Sequence, residues 1–143
     1  MNTPFALVGI DHIVFLVDDM NMALQFYCGF LGCQSGCSYP ELGMEQVWAG
    51  NALIVLWDIT HPGASKAVPS VPGGRNIDHV CLATGPFNHD SFRSYCDDNS
   101  IKIEQEALHG GARGFGHSFY IRDPFGNRLE IKGPVAHPDD AVN

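Results

Sequence analysis

Ile10-Asp11-His12-Ile13-Val14 returns as Ile77-Asp78-His79-Val80-Cys81 at an offset of 67 residues. Each copy is a short apolar strand signal, and each is followed by a helix candidate. Asp19 can cap a run carrying Ala23, Phe26, Tyr27, Phe30 and Leu31 at helical spacing, and Asn88 can cap one carrying Phe92, Tyr95 and Cys96. Gly32 and Asn99 suit the stops. Strand signals come next in both halves: Glu45–Trp48 and Ala52–Trp57 around Gly50-Asn51, then Ile101–Glu104, Ser118–Arg122 and Arg128–Lys132, the last two joined through Gly126-Asn127.

The chain therefore reads as two βαβββ modules, the first over about residues 8–60 and the second over about 76–134. A linker rich in Pro and Gly falls at 61–75, and tails are expected at Met1–Pro4 and 135–143. One such module exposes an apolar sheet face. Two in pseudo-twofold arrangement curve a mixed sheet around a cleft with the helices outside, an α+β fold in one domain. The length of 143 residues, with 45% hydrophobic and 17% charged, fits one globular domain and excludes fibrous or long disordered classes. Apolar runs such as Ala52–Trp57 are too short to cross a bilayer, and no signal-peptide pattern opens the chain, so a cytoplasmic location is expected. A formal charge of −8 repels phosphate backbones and anionic membranes, which argues against both as partners. The five cysteines are odd in number and form no C-x-x-C pair, so free thiols are expected.

Three residues stand out for chemistry: His12, His79 and Glu130. The histidines occupy the same place in the two repeats, and Glu130 lies in the last strand. Either histidine alone reads as a hydrogen-bonded structural residue, but the repeat relation favours two imidazoles and a carboxylate around a divalent first-row metal, notably Fe(II). By strand position, Asp58 and Gln46 are the next candidates for a ligand. If Glu130 points into the cleft, alternation puts Arg128 and Lys132 on its face and turns Leu129 and Ile131 to the helices. Cationic walls beside a Lewis acid would suit a small oxygen-rich anion, although Arg128 and Lys132 equally fit a solvated sheet rim.

These stretches, with Ala23-Leu24-Gln25-Phe26-Tyr27, Phe30-Leu31-Gly32 and Ser118 to Glu130, resemble the vicinal-oxygen-chelate superfamily, which holds glyoxalase I, bleomycin-resistance proteins, fosfomycin-resistance enzymes, an epimerase and extradiol dioxygenases. The resemblance spans about residues 8–134. It implies that His12, His79 and Glu130 are metal ligands, for Fe(II), Mn(II), Zn(II) or Ni(II). Many members carry a fourth Glu or Gln ligand in the last strand of the first module, where this chain has Ile54 or, one residue on, Val55. The three-ligand pattern is similar to extradiol dioxygenases and fosfomycin-resistance enzymes. Tyr120 matches a dioxygenase tyrosine that hydrogen-bonds the metal-bound substrate oxygen, and it also fits an ordinary strand aromatic. No acid–base histidine falls in the expected strand; His61 lies just after it.

Fosfomycin-resistance enzymes hold their phosphonate with polar and cationic residues, and the matching candidate is the glycine-rich loop from His109 to His117. There Arg113, His109 and His117 can meet an anionic substrate under a mobile lid; a plain flexible hairpin connection fits the same residues. The resemblance thus implies a metal-dependent lyase, dioxygenase or transferase acting on a small chelated substrate, as a homodimer. A metal-free sequestering protein, like those for bleomycin resistance, is the competing expectation.

Overall fold

The computed structural model describes residues 11–65, 67, 77, 79–110 and 113–136. The expected N-terminal tail, most of the expected linker and residues 137–143 lie outside them. The chain divides into two compact units, Met1–Pro69 and Ser70–Asn143.

In the first unit, β1 (His12–Val17) leads to α1 (Met20–Leu24), which runs on as a π-helical stretch, Gln25–Phe30. Asp19 caps α1 as expected, accepting from Met22 N at 2.9 Å, and Gly32 takes the left-handed φ of 73° that ends the segment. Three strands follow: β2 (Gln34–Tyr39), β3 (Met44–Ala49) and β4 (Ala52–Asp58), in the sheet order β1-β4-β3-β2, with β1 parallel to β4 and the other pairs antiparallel. Strand β2 was not legible in the sequence. Its residues, QSGCSY, are exposed throughout and show no apolar alternation. Phe15 and Val17 of β1, Ile54 and Leu56 of β4 and Val47 of β3 are buried with Ala23, Phe26 and Tyr27. Tyr27 stacks on Phe15 and meets Phe26 edge-on. Each large side chain fully buried in this way stabilises the fold by about 1.5–3 kcal/mol. His61 belongs to the turn after β4. Its ring accepts from Gly63 N at 2.9 Å, which makes it a turn residue.

The second unit repeats the plan. Strand β5 (Val80–Ala83) leads to α2 (His89–Asp98), capped by Asn88, which accepts from Ser91 N at 2.8 Å. Then come β6 (Gln105–His109), β7 (Gly116–Arg122) and β8 (Arg128–Val135), in the sheet order β5-β8-β7-β6. The expected strand at Ile101–Glu104 is displaced to Gln105–His109. Beyond the cap residue Asn99, Ser100 takes φ 57° and Ile101 N bonds back to Cys96 O, so the residues after the helix close its end and the strand starts later. Strand β8 also runs to Val135, one residue into the expected tail. Phe119, Ile121, Leu129, Ile131 and Cys96 form the buried layer, with Phe87 and Phe92 packed on Phe119.

The two registers are equivalent. Val14 pairs with Val55 and Val55 with Gln46 in the first sheet; Cys81 pairs with Glu130 and Glu130 with Tyr120 in the second. Since His12 corresponds to His79, Val14 corresponds to Cys81, Val55 to Glu130 and Gln46 to Tyr120. The ambiguity between Ile54 and Val55 is thereby resolved in favour of Val55.

Candidate metal centre

Directly opposed residues of neighbouring strands share a sheet face. Cys81, Glu130, Tyr120 and Gln105 therefore form one row across β5, β8, β7 and β6. Two residues along, Ala83, Lys132, Ser118 and Ala107 form the next row on that face. The opposite face carries Leu129, Ile131, Phe119 and Ile121 against α2, as alternation predicts.

Glu130 is the centre of this arrangement. Its side chain is only 5% exposed, and its Oε2 lies 3.1 Å from Nε2 of His79. Ser118 Oγ donates to Oε1 at 2.6 Å. Burial raises the carboxyl's pKa, but hydrogen bonds from Ser118 and Tyr120, the neighbouring His79 and the Cys81 thiol together outweigh it and hold the group below its ordinary value. Glu130 is thus ionised at neutral pH. Tyr120, in turn, is pushed up to about 12 by desolvation and by its bond to Glu130. Its hydroxyl also lies 2.6 Å from Nδ1 of His109. With the phenolic proton directed to the carboxylate, Oη is left to accept a hydrogen bond from the His109 ring. The His79 and His109 rings each meet the Tyr120 ring at 5.3 Å, and the Arg128 guanidinium covers it at 4.3 Å. Cys81 is raised to about 11, first by desolvation and next by Glu130, while Lys132 and Arg113 pull it the other way.

This pair fits a divalent metal. Two adjacent ligand atoms at right angles, each about 2.1 Å from a cation, are about 3 Å apart, close to the spacing of His79 Nε2 and Glu130 Oε2. An imidazole with an ionised carboxylate is also the donor type that first-row metals take, and Ser118 and Tyr120 orient the carboxylate from behind. His12 opens β1 of the first unit. Its Nδ1 lies 2.6 Å from the Asp11 carboxylate, which fixes the proton there and leaves Nε2 outward as a donor. Among the described residues, no group of three His, Cys, Asp or Glu side chains that could hold a metal ion is gathered.

The other expected site residues are placed differently. Arg113 gives its guanidinium to the carbonyls of Thr84, Lys132 and Gly133, at 3.2, 3.1 and 3.3 Å, so it clamps the backbone behind β8 where a substrate-gripping lid residue was expected. His117 is separated from Glu130. It stacks on His89 of α2 at 4.0 Å and its Nε2 lies 2.6 Å from Glu106 Oε1, on the helix side of the sheet. A register shift between Gly116 and Ser118 accompanies this turn of the strand. Asp58, at the end of β4, accepts from Thr60 N and Oγ1 through one carboxylate oxygen. Arg128 is tied to Glu104 and Gln105. Sequence reasoning put His109 in a loop; as the last residue of β6, it stands beside Tyr120. Ser118 and Cys81 were overlooked, although each is two residues from a named site residue on the same strand face.

The family model for the Glyoxalase/Bleomycin resistance protein/Dioxygenase superfamily matches residues 9–131. The chain belongs to that superfamily. Among solved structures it is similar to the virulence protein STM3117 of Salmonella typhimurium, at 28% identity and TM-score 0.72, with 92% of this chain and 100% of that one covered. It is also similar to lactoylglutathione lyase of Agrobacterium tumefaciens, at 22% identity and TM-score 0.61, covering 92% and 96%. A third likeness is a variant of the fosfomycin resistance protein FosX of Listeria monocytogenes, complexed with Mn(II) and 1S,2S-dihydroxypropylphosphonic acid, at 14% identity and TM-score 0.67, covering 91% and 93%. A search of curated proteins finds no match. Among the described residues, no helix is long and apolar enough to cross a membrane.

Proposed function

We propose that this chain is a metal-dependent enzyme of its superfamily, in which His12, His79 and Glu130 hold one divalent first-row cation and a small substrate is chelated through two vicinal oxygens. The observation that carries the reading is the buried, ionised Glu130 facing the His79 imidazole at 3.1 Å. Complementary support comes from Asp11, which leaves His12 with a free ring nitrogen, and from the similarly folded FosX variant with Mn(II) and a vicinal diol. A cation bound there supplies Lewis acidity toward a developing enolate, alkoxide or other oxyanion.

The chain's own residues do the rest. Ser118 and Tyr120 hold the carboxylate in one orientation, and Tyr120, with a pKa near 12, keeps its hydroxyl proton as a hydrogen-bond donor at neutral pH. His109 fixes that hydroxyl from the other side. Val55, the repeat counterpart of Glu130, carries no donor atom, so a cation held by His12, His79 and Glu130 would keep positions for substrate and water. Elemental analysis of the purified protein is the test. About one equivalent of metal is expected in the native chain and little in Glu130→Ala, with the far-UV circular dichroism of the two alike. A metal-free native protein after purification with Fe(II), Mn(II), Zn(II) and Ni(II) supplied would leave the ligand-sequestering reading in its place.

A further inference from the structure

Lys132 lies on the same strand face as Glu130, two residues further along β8, and it is only 3% exposed. A buried ammonium ordinarily has a carboxylate partner, because removing the charge from water costs several kcal/mol. Lys132 has none. Among the described residues its Nζ donates to one group, the carbonyl of Gly114 at 2.5 Å, and forms no ion pair. An ammonium has three N–H donors, so two remain without a protein acceptor. Nothing in the packing of β8 demands a cation here, since Ala83 and Ser118, its opposed neighbours, are small and uncharged. Arg113, by contrast, spends three of its five donors on the carbonyls of Thr84, Lys132 and Gly133.

We infer that the Lys132 ammonium is the recognition element for a carboxylate on the substrate, carried on the same strand face as the Glu130 carboxylate and one strand step along β8. This deepens the chelate reading and rests on it. A single positive charge with two free donors matches a monoanion with two oxygens better than a dianionic phosphonate, which it would leave half neutralised. The substrate class is then a small acid that carries a carboxylate besides its pair of chelating oxygens.

Mn(II)-loaded protein separates the two layers of this reading. Two chelators of similar size are compared by titration calorimetry and by water-proton relaxation of the bound Mn(II): butyrohydroxamic acid, which is neutral beyond its chelating oxygens, and succinic monohydroxamic acid, which carries a carboxylate two methylenes beyond them. The native protein should bind the carboxylate compound about 10- to 100-fold more tightly, the worth of a hydrogen-bonded charge pair away from water. Lys132→Met, which keeps the stem volume, should lose that preference while binding Mn(II) and butyrohydroxamic acid as before; Lys132→Arg should keep part of it. Equal affinity of the native protein for the two compounds overturns the Lys132 assignment and leaves the chelate reading standing. Failure of both hydroxamates to displace water from bound Mn(II) overturns the chelate reading and the assignment together. The native comparison needs no variant, so a Lys132→Met protein that does not fold leaves the test intact.

Discussion

Replacing Ser118 by Ala deletes one hydroxyl from a fully buried position and removes the 2.6 Å hydrogen bond that Glu130 Oε1 accepts. The volume lost is that of one oxygen, so the effect is electrostatic. A hydrogen bond to a buried charge is worth about 1.5–3 kcal/mol, and Ser118→Ala should destabilise the metal-free protein by about that amount at pH 7. The pH dependence has a definite sign. The folded Glu130 carboxyl titrates below its ordinary value, so its contribution is complete above the unfolded-chain pKa of about 4.3 and is lost as pH falls through the folded value. Ser118→Ala moves the folded value upward. The gap between native and variant is therefore widest near neutrality and narrows as pH falls through the variant's folded value toward the native one, below which both carry a neutral carboxyl. Urea unfolding followed by far-UV circular dichroism at a series of pH values reads this directly; tryptophan fluorescence would not, because Trp48 and Trp57 belong to the other unit. A gap under about 0.5 kcal/mol at pH 7, or one that stays constant on acidification, would refute the claim that Ser118 sustains the Glu130 charge. In the metal-loaded protein the same substitution should weaken metal affinity about 10- to 100-fold, as loss of a group that orients a ligand does.

Gly116→Ala should cost roughly 2 kcal/mol or more, seen as a lowered urea midpoint, because the added Cβ would stand 2.7 Å from Pro134 O and 2.8 Å from Gly133 O; Gly133→Ala is the control, since its Cβ would meet nothing nearer than 3.6 Å. Sedimentation velocity at micromolar concentration should show a homodimer, since each sheet leaves open edge strands and symmetric pairing is the common way to cover such edges. If the site is shared across that dimer, mixing inactive His12→Ala and Glu130→Ala chains should restore metal binding to part of the population, and a strictly monomeric protein would dispose of both expectations.

What the sequence disclosed followed from chemistry that is local in the chain. Asp19 and Asn88 announce their helices because a cap satisfies backbone donors three residues away, and Gly50 and Gly126 announce hairpins because their turns need positive φ. The candidates His12, His79 and Glu130 were singled out through the repeat, which carries positional information that no single histidine has. What stayed hidden depends on pairing. Strand β2 buries no side chain, so it has no apolar period to detect, and it exists because β3 offers it an edge. The fate of Arg113 was not legible because its acceptors, the carbonyls of Thr84, Lys132 and Gly133, are the same on any residue. The helix-side placement of His117 follows plain alternation from Phe119, and it was missed because His117 was read as the end of a loop just before the expected strand Ser118–Arg122.

The equivalence of the two registers carries a further consequence. The central row of the second sheet, Cys81-Glu130-Tyr120, holds a thiol, a carboxylate and a phenol, whereas the matching row of the first, Val14-Val55-Gln46, holds two valines and an amide. The rows flanking it in the first sheet add Leu53 and Trp48 on one side and Leu16, Trp57 and Met44 on the other, so His12 stands on a largely apolar face. The two copies share a backbone plan and one histidine each but differ in the chemistry of the corresponding face. In the second unit that face carries the Glu130 carboxylate, its hydrogen-bonding supports and the Lys132 ammonium; in the first it carries one imidazole and apolar side chains. A carboxylate at position 55 would have to be ionised among valine, leucine and tryptophan side chains, without the Ser118, Tyr120 and Cys81 donors that sustain Glu130. The absence of a fourth ligand is therefore a property of the whole first-unit face, and Val55→Glu alone should bury an unsupported carboxyl and leave the metal stoichiometry and donor set unchanged.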